Sequence, residues 1–148
     1  MEDEIDDTDF LPELAGLVNE PKGEYGKRKS NAEFARAFRA RLKAAAIKVV
    51  NFMHQQPSGA AMNVIRHQLL KSATSAAANY RAARRARSGR EFFAKMSIVV
   101  EETDETLFWL EILRDSVLAV DDDAITTLGK EWQEILMVVA RARSNIKQ

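Results

Sequence analysis

Five arginines fall within ten positions of the stretch NYRAARRARSGREFF, residues 79–93: Arg81, Arg84, Arg85, Arg87 and Arg90. The chemistry such a cluster can perform is the holding of anions, above all phosphate oxygens. The chain has 22 basic and 22 acidic residues, so solubility does not require a local excess. The blander reading is a set of solvated helix faces. Other chemistry is sparse. There is no cysteine, hence no disulfide framework, thiolate nucleophile or cysteine metal site. The two histidines, His54 and His67, do not follow a glutamate at the Glu-x-x-His spacing of a carboxylate di-metal bundle site. No nucleophile elbow, phosphate loop or zinc motif is present. These residues predict no catalytic group, no metal and no cofactor: a non-enzymatic protein.

Net neutrality conceals a segregation of charge. Residues 1–20 hold eight acids and no base, residues 21–90 sixteen bases and two acids, and residues 91–148 six bases and twelve acids. Asymmetry on this scale points to an anionic partner or to charge-complementary contact between copies. The first nine residues, MEDEIDDTD, are acidic where a secretory leader needs a basic stretch. The longest apolar runs, such as Ile98-Val99-Val100, are far too short to span a bilayer. The expectation is a cytoplasmic protein without a membrane partner.

The elements that must position the arginines are helices. Four apolar stripes recur at threes and fours. The first, Phe34, Phe38, Leu42, Ala45, Val49 and Phe52, follows a capping box at Ser30 and Glu33 and stops before Pro57. The second comprises Met62, Ile65, Leu69, Ser72, Ala76, Asn79 and Ala83. The third begins with a second capping box, Ser88 to Glu91. It keeps heptad spacing through Phe92, Met96, Val99, Thr103, Thr106, Leu110, Leu113 and Val117. The fourth follows Asp121, Asp122 and Asp123, acids suited to a helix N-terminus, and carries Ile125, Leu128, Trp132, Ile135, Val139 and then Ala142 or Ile146. The predicted helices cover about 31–55, 58–87, 89–117 and 123–146. Strand alternation is absent. Short connections between long helices make antiparallel neighbours, so the fold expected over 31–148 is an all-α, up-down-up-down four-helix bundle. Residues 1–30 read as a separate, partly disordered acidic arm and basic linker, with Phe10, Leu14 and Leu17 available for a short docked helix.

Residues 72–83, SATSAAANYRAA, are nearly all small, which lets a neighbouring backbone approach closely. With the second turn centred near Ser88-Gly89, residue i of the second helix should lie level with about residue 177 − i of the third. Ser72 is then level with Glu105 and Ser75 with Glu102. Ser72, Asn79 and Glu105 are the candidate structural polar residues, with Ser72 or Lys71 bonding Glu105. Trp109 and Trp132 read as core or subunit-interface residues rather than base-stacking platforms. His54 suits a helix C-terminus, and His67 reads as exposed.

The stretch Gln68–Leu113 strongly resembles the bacterial four-helix-bundle family encoded by intervening sequences in large-subunit ribosomal RNA genes. The resemblance lies in Ala78-Asn79 ending a small-residue helix, in Ser88 to Phe92, matching a Ser-x-x-Asp/Glu-Phe helix start, and in Glu105-Thr106 with Trp109-Leu110, matching a Glu-Thr-x-x-Trp-Leu block. Leu107 stands where many members carry a second glutamate, and residues 1–30 lie outside the family pattern. The resemblance implies a ring-like homo-oligomer, a pentamer, with no known enzyme activity. A related branch accompanies retroelement reverse transcriptases and is similar to nucleic-acid binders.

In an up-down-up-down bundle the start of the first helix, the end of the second, the start of the third and the end of the fourth share one end. Sixteen of the 22 bases collect there: Lys22, Lys27, Arg28 and Lys29; Arg36, Arg39, Arg41 and Lys43; the five arginines of the cluster; Arg141, Arg143 and Lys147. Arginines at a helix C-terminus suit its dipole, whereas Arg36 and Arg39 oppose theirs. The candidate nucleic-acid-binding residues are Arg36, Arg39, Arg81, Arg84, Arg85, Arg87 and Arg90, with RNA or DNA held by its backbone without sequence readout. The alternative is a protein-interaction module or scaffold that binds no nucleic acid.

Overall fold

The computed structural model describes residues 31–118 and 121–146. They form four α-helices: α1 Asn31–His54, α2 Ala60–Ala83, α3 Gly89–Asp115 and α4 Asp122–Ser144. No strand occurs among the described residues. Each helix packs on its neighbour in the chain and α4 closes on α1, while α1 and α3, like α2 and α4, stand on opposite sides. The result is a four-helix bundle around one core. No helix among the described residues is long and apolar enough to cross a membrane. The arm, its linker, the Ser30 cap and Lys147 lie outside the described residues.

The core follows the predicted stripes closely. Phe38, Leu42 and Val49 of α1, Met62, Ile65 and Leu69 of α2, Met96, Val99 and Leu113 of α3, and Ile125, Trp132 and Val139 of α4 are all buried. The caps are equally local. Ser88 Oγ accepts from the Glu91 amide at 3.1 Å, and Asp121 Oδ1 accepts from the Ala124 amide at 2.9 Å. Each satisfies an amide that the first helical turn leaves unpaired. The Glu91 carboxylate turns back to the Arg87 amide, 3.1 Å away, one residue outside the box the sequence suggests.

Four expectations need correction. First, α2 begins at Ala60 and ends at Ala83, so Arg84–Arg87 form the connection rather than helix. The tight bonds Arg85 N to Ala82 O and Ala86 N to Ala83 O close the last turn, because Ser88 must be extended to cap α3. Second, α3 ends at Asp115 with an extended Ser116, which leaves Val117 fully exposed instead of in the core. Third, Tyr80 rather than Asn79 occupies the buried α2 stripe. Its ring meets Phe38 edge-on, centroids 5.1 Å apart, filling a space that an asparagine could not. Asn79 lies half-buried beside the stripe and donates through Nδ2 to the Ser75 carbonyl (2.9 Å) and Ser75 Oγ (3.0 Å).

Fourth, Ser72 is paired across the helices with Thr106, not with Glu105. The Thr106 hydroxyl lies 2.9 Å from Ser72 Oγ, and Ser72 Oγ donates to the Leu69 carbonyl at 3.2 Å. The partner of Ser72 differs because the β-hydroxyl of Thr106 faces the seam while Glu105 lies half-buried at its edge; Ser75 stands beside the Glu102 carboxyl, as expected. Glu105 instead accepts from Trp109 Nε1 at 3.2 Å, one turn along the same helix. Ser72, Thr103 and Thr106 are the fully buried polar residues among those described, and each has a hydrogen-bond partner.

Candidate nucleic-acid interface

Three features bring the basic segments to one end of the bundle. Phe38, two turns into α1, meets Tyr80 near the end of α2. The seam from α2 to α3 is the short connection 84–88 itself. Arg143, in the last turn of α4, donates through Nε to Ser97 Oγ at 2.8 Å, with its guanidinium carbon 5.2 Å from the centre of the Phe93 ring, both residues in the first turns of α3. Arg36, Arg39, Arg81, Arg85, Arg87, Arg90 and Arg141 therefore share this end, and all are exposed. Arg84 is half-buried there.

The structure divides the predicted cations by what they touch. Arg41 is held by carboxylates on α4: Nε to Glu131 Oε1 and Nη2 to Glu131 Oε2, both 2.8 Å, with Nη2 also on Glu134. The hydrogen bonds and charge of Arg41 lower the Glu131 carboxyl below its ordinary range, and those of Glu131 raise the already high guanidinium value further. Arg87 lies 3.5 Å from Glu91, whose carboxyl is lowered mainly by the bond from the Arg87 amide. Arg143 is occupied by Phe93 and Ser97. By contrast, Arg36, Arg39, Arg81, Arg85, Arg90 and Arg141 have no ion-pair partner among the described residues. Such groups keep their hydrated charge available for an external anion.

Arg66 is a residue that neither motif nor spacing singles out. Its guanidinium donates to the carbonyls of Met53 (3.3 Å), Gln56 (2.7 Å) and Pro57 (3.2 Å), closing the end of α1 and the following turn. It serves the connection, not a ligand surface.

The opposite end holds Asp115, bound by its neighbour Arg114, and the acids that open α4. A groove of about 550 Å³ runs there between α1 and α4, lined by Lys48, Asn51, Phe52, Asp121, Asp123 and Leu128. Thr127 also lines it, its hydroxyl donating to the Asp123 carbonyl at 2.9 Å. No cluster of three or more histidine, aspartate or glutamate residues placed to hold a metal occurs among the described residues. His54 and His67 are exposed, on α1 and α2 respectively. On the seam between α2 and α3, the Glu102 carboxyl is raised, first by burial of one oxygen, then by the neighbouring charge of Glu105. Trp132 lies wholly in the core, whereas Trp109 is half-buried beside the exposed Phe108.

The class defined by this architecture is a four-helix bundle with one cationic end. The chain matches no family model and no curated protein. Among solved structures it is similar to a protein of unknown function from the S23 ribosomal protein family of Bacteroides thetaiotaomicron. The match has a TM-score of 0.65 and 24% identity, and covers 75% of this chain and 98% of that one. At that identity the likeness carries the fold.

Proposed function

We propose that this chain is a non-enzymatic, self-assembling helical bundle that binds the phosphate backbone of RNA or DNA through its arginine end. The observation that carries the reading is the convergence of Arg36, Arg39, Arg81, Arg85, Arg90 and Arg141, exposed and without ion-pair partners among the described residues. The pairs Phe38–Tyr80, Ser72–Thr106, Arg41–Glu131 and Arg143–Ser97 support an antiparallel up-down-up-down arrangement. Membership of the ribosomal RNA intervening-sequence family rests on the residues of Gln68–Leu113. The S23-family neighbour supports it at the level of fold. Assembly into a pentameric ring follows from that membership. Half-buried Trp109 beside exposed Phe108 and Ile112 on α3 is the apolar surface best suited to a second copy of the chain.

The test is binding of a labelled single-stranded RNA and a duplex DNA across a salt series. A linear fall of log affinity with log salt supports the reading, its slope growing by roughly 0.7–0.9 for each phosphate the protein neutralises. Arg81→Gln, Arg85→Gln and Arg90→Gln together flatten that slope while far-UV circular dichroism stays unchanged. If neither nucleic acid binds at low salt, and the oligomer itself dissociates at high salt, the protein-interaction reading replaces this one.

A further inference from the structure

The acidic N-terminal segment and the arginine end belong to the same chain, and α1, the first described element after that segment, starts at the arginine end. We propose that residues 1–20 dock on the arginine end and compete there with nucleic acid. This deepens the reading of that end as a phosphate-binding surface and, for its competitive part, rests on it.

Length and attachment support docking. The described chain begins at Asn31, the first residue of α1. The Phe38–Tyr80 pair puts that start at the end carrying Arg81, Arg85 and Arg90. Ten residues, 21–30, join the acidic segment to α1, and ten residues span at most about 33–36 Å. The end of α2, the start of α3 and the end of α4 stand within one or two interhelical spacings of about 8–10 Å, so the arginines are within reach. The other end lies a full helix away, 24 residues of α1, or about 36 Å.

Charge complementarity points the same way. The segment holds eight acids and no base. It is tethered beside cations that lack ion-pair partners among the described residues, and the far end, with Asp115 and Asp121–Asp123, would repel it. Arg36 and Arg39 strengthen the case. They stand in the second and third turns of α1, exposed and without an ion-pair partner among the described residues. A tether of this length holds the segment at millimolar effective concentration. Nucleic acid must displace it, and moderate salt must weaken it, since the Debye length falls to about 10 Å at 0.1 M.

The chain has no cysteine, so Thr8→Cys provides a unique attachment point for a nitroxide. Docking predicts a slow, immobilised spectrum at about 0.05 M salt and a sharp one at about 0.5 M, where screening is short-ranged. The Arg81→Gln, Arg85→Gln, Arg90→Gln variant should give the sharp spectrum at both. A sharp spectrum in every condition overturns docking. Adding poly(U) RNA at low salt should release the label, and deleting residues 1–20 should tighten RNA binding by on the order of tenfold. RNA that binds without releasing the label, or with unchanged affinity after the deletion, overturns the competition. If RNA binds neither chain, the phosphate-binding reading fails, and the label spectrum still decides whether the segment docks.

Discussion

Replacing Arg41 with glutamine separates architecture from ligand binding within one cluster of cations. Its guanidinium holds Glu131 by two 2.8 Å bonds and touches Glu134. The forked geometry makes this stronger than an ordinary surface pair. Its environment limits the gain, since the side chains are 37% and 28% exposed. A Coulomb term of about 1 kcal/mol in bulk water, rising to about 4 at an effective dielectric near 20, must be discounted for solvent screening and for ordering two long side chains. The net loss expected for Arg41→Gln is about 1 kcal/mol, or roughly 3–4 °C in Tm, measured at fixed chain concentration. A double-mutant cycle with Glu131→Gln should give a coupling of about 0.5–1 kcal/mol. The pH dependence has a definite sign. The folded Glu131 carboxyl is depressed, so its stabilisation is complete above the ordinary carboxylate value and is lost as the pH falls through the folded one. The gap between wild type and Arg41→Gln therefore closes in acid. Nucleic-acid affinity and its salt slope should be unchanged by the same substitution. A wild-type Tm at neutral pH, a gap that widens in acid, or a salt slope reduced as much as by Arg85→Gln would each refute the reasoning.

Removal of one hydroxyl from the buried pair, Thr106→Val, should cost about 1–3 kcal/mol by denaturant unfolding, because Ser72 is then left without its cross-helix partner. Adding Ser72→Ala should recover part of that cost. Arg66→Gln removes a charged donor from three carbonyls and should cost about 1.5–3 kcal/mol, seen as a lower denaturation midpoint with unchanged slope. Glu102→Gln should raise Tm at neutral pH, and the advantage should vanish as the pH falls through the raised carboxyl value and wild-type Glu102 takes up its proton. Phe108→Lys, an exposed change on α3, should leave helix content intact and reduce the mass seen by light scattering toward the 16.7 kDa of one chain.

Period and caps carried most of the fold. The stripes Met62–Ile65–Leu69 and Ile125–Leu128–Trp132–Ile135–Val139 recur at threes and fours, and burial of one helix face enforces that spacing. Ser88 and Asp121 are caps because a side-chain oxygen three residues before an orphan amide has little else to bond. Where the pattern failed, it was degenerate. Between Ala76 and Ala83 a helix can bury position 79 or position 80, since steps of three and four are equally compatible with one face. Only the volume opposite, filled by Phe38, selects Tyr80, and that volume belongs to another helix. The partner of Ser72 on α3 shows the same limit. Turn position predicted the level, but one residue changes the partner from a carboxylate to a hydroxyl.

The arginines show why a site is harder to read than a fold. Arg41, Arg85, Arg66 and Arg143 are chemically identical, and their neighbours in sequence do not distinguish them. Their roles differ through partners that lie far along the chain: Glu131 is 90 positions from Arg41, and Ser97 is 46 from Arg143. Local charge counting therefore overestimates the cations available to a ligand. It misses those satisfied by acids or carbonyls brought in by tertiary packing. The measurement that follows is a comparison of single variants, not of the cluster as a block. Arg36→Gln, Arg39→Gln, Arg81→Gln, Arg85→Gln and Arg90→Gln should each lower the salt slope of nucleic-acid binding. Arg41→Gln and Arg143→Gln should lower stability and leave the slope alone. A slope that falls equally in both groups would mean that the ligand is drawn by net charge and not by the end of the bundle.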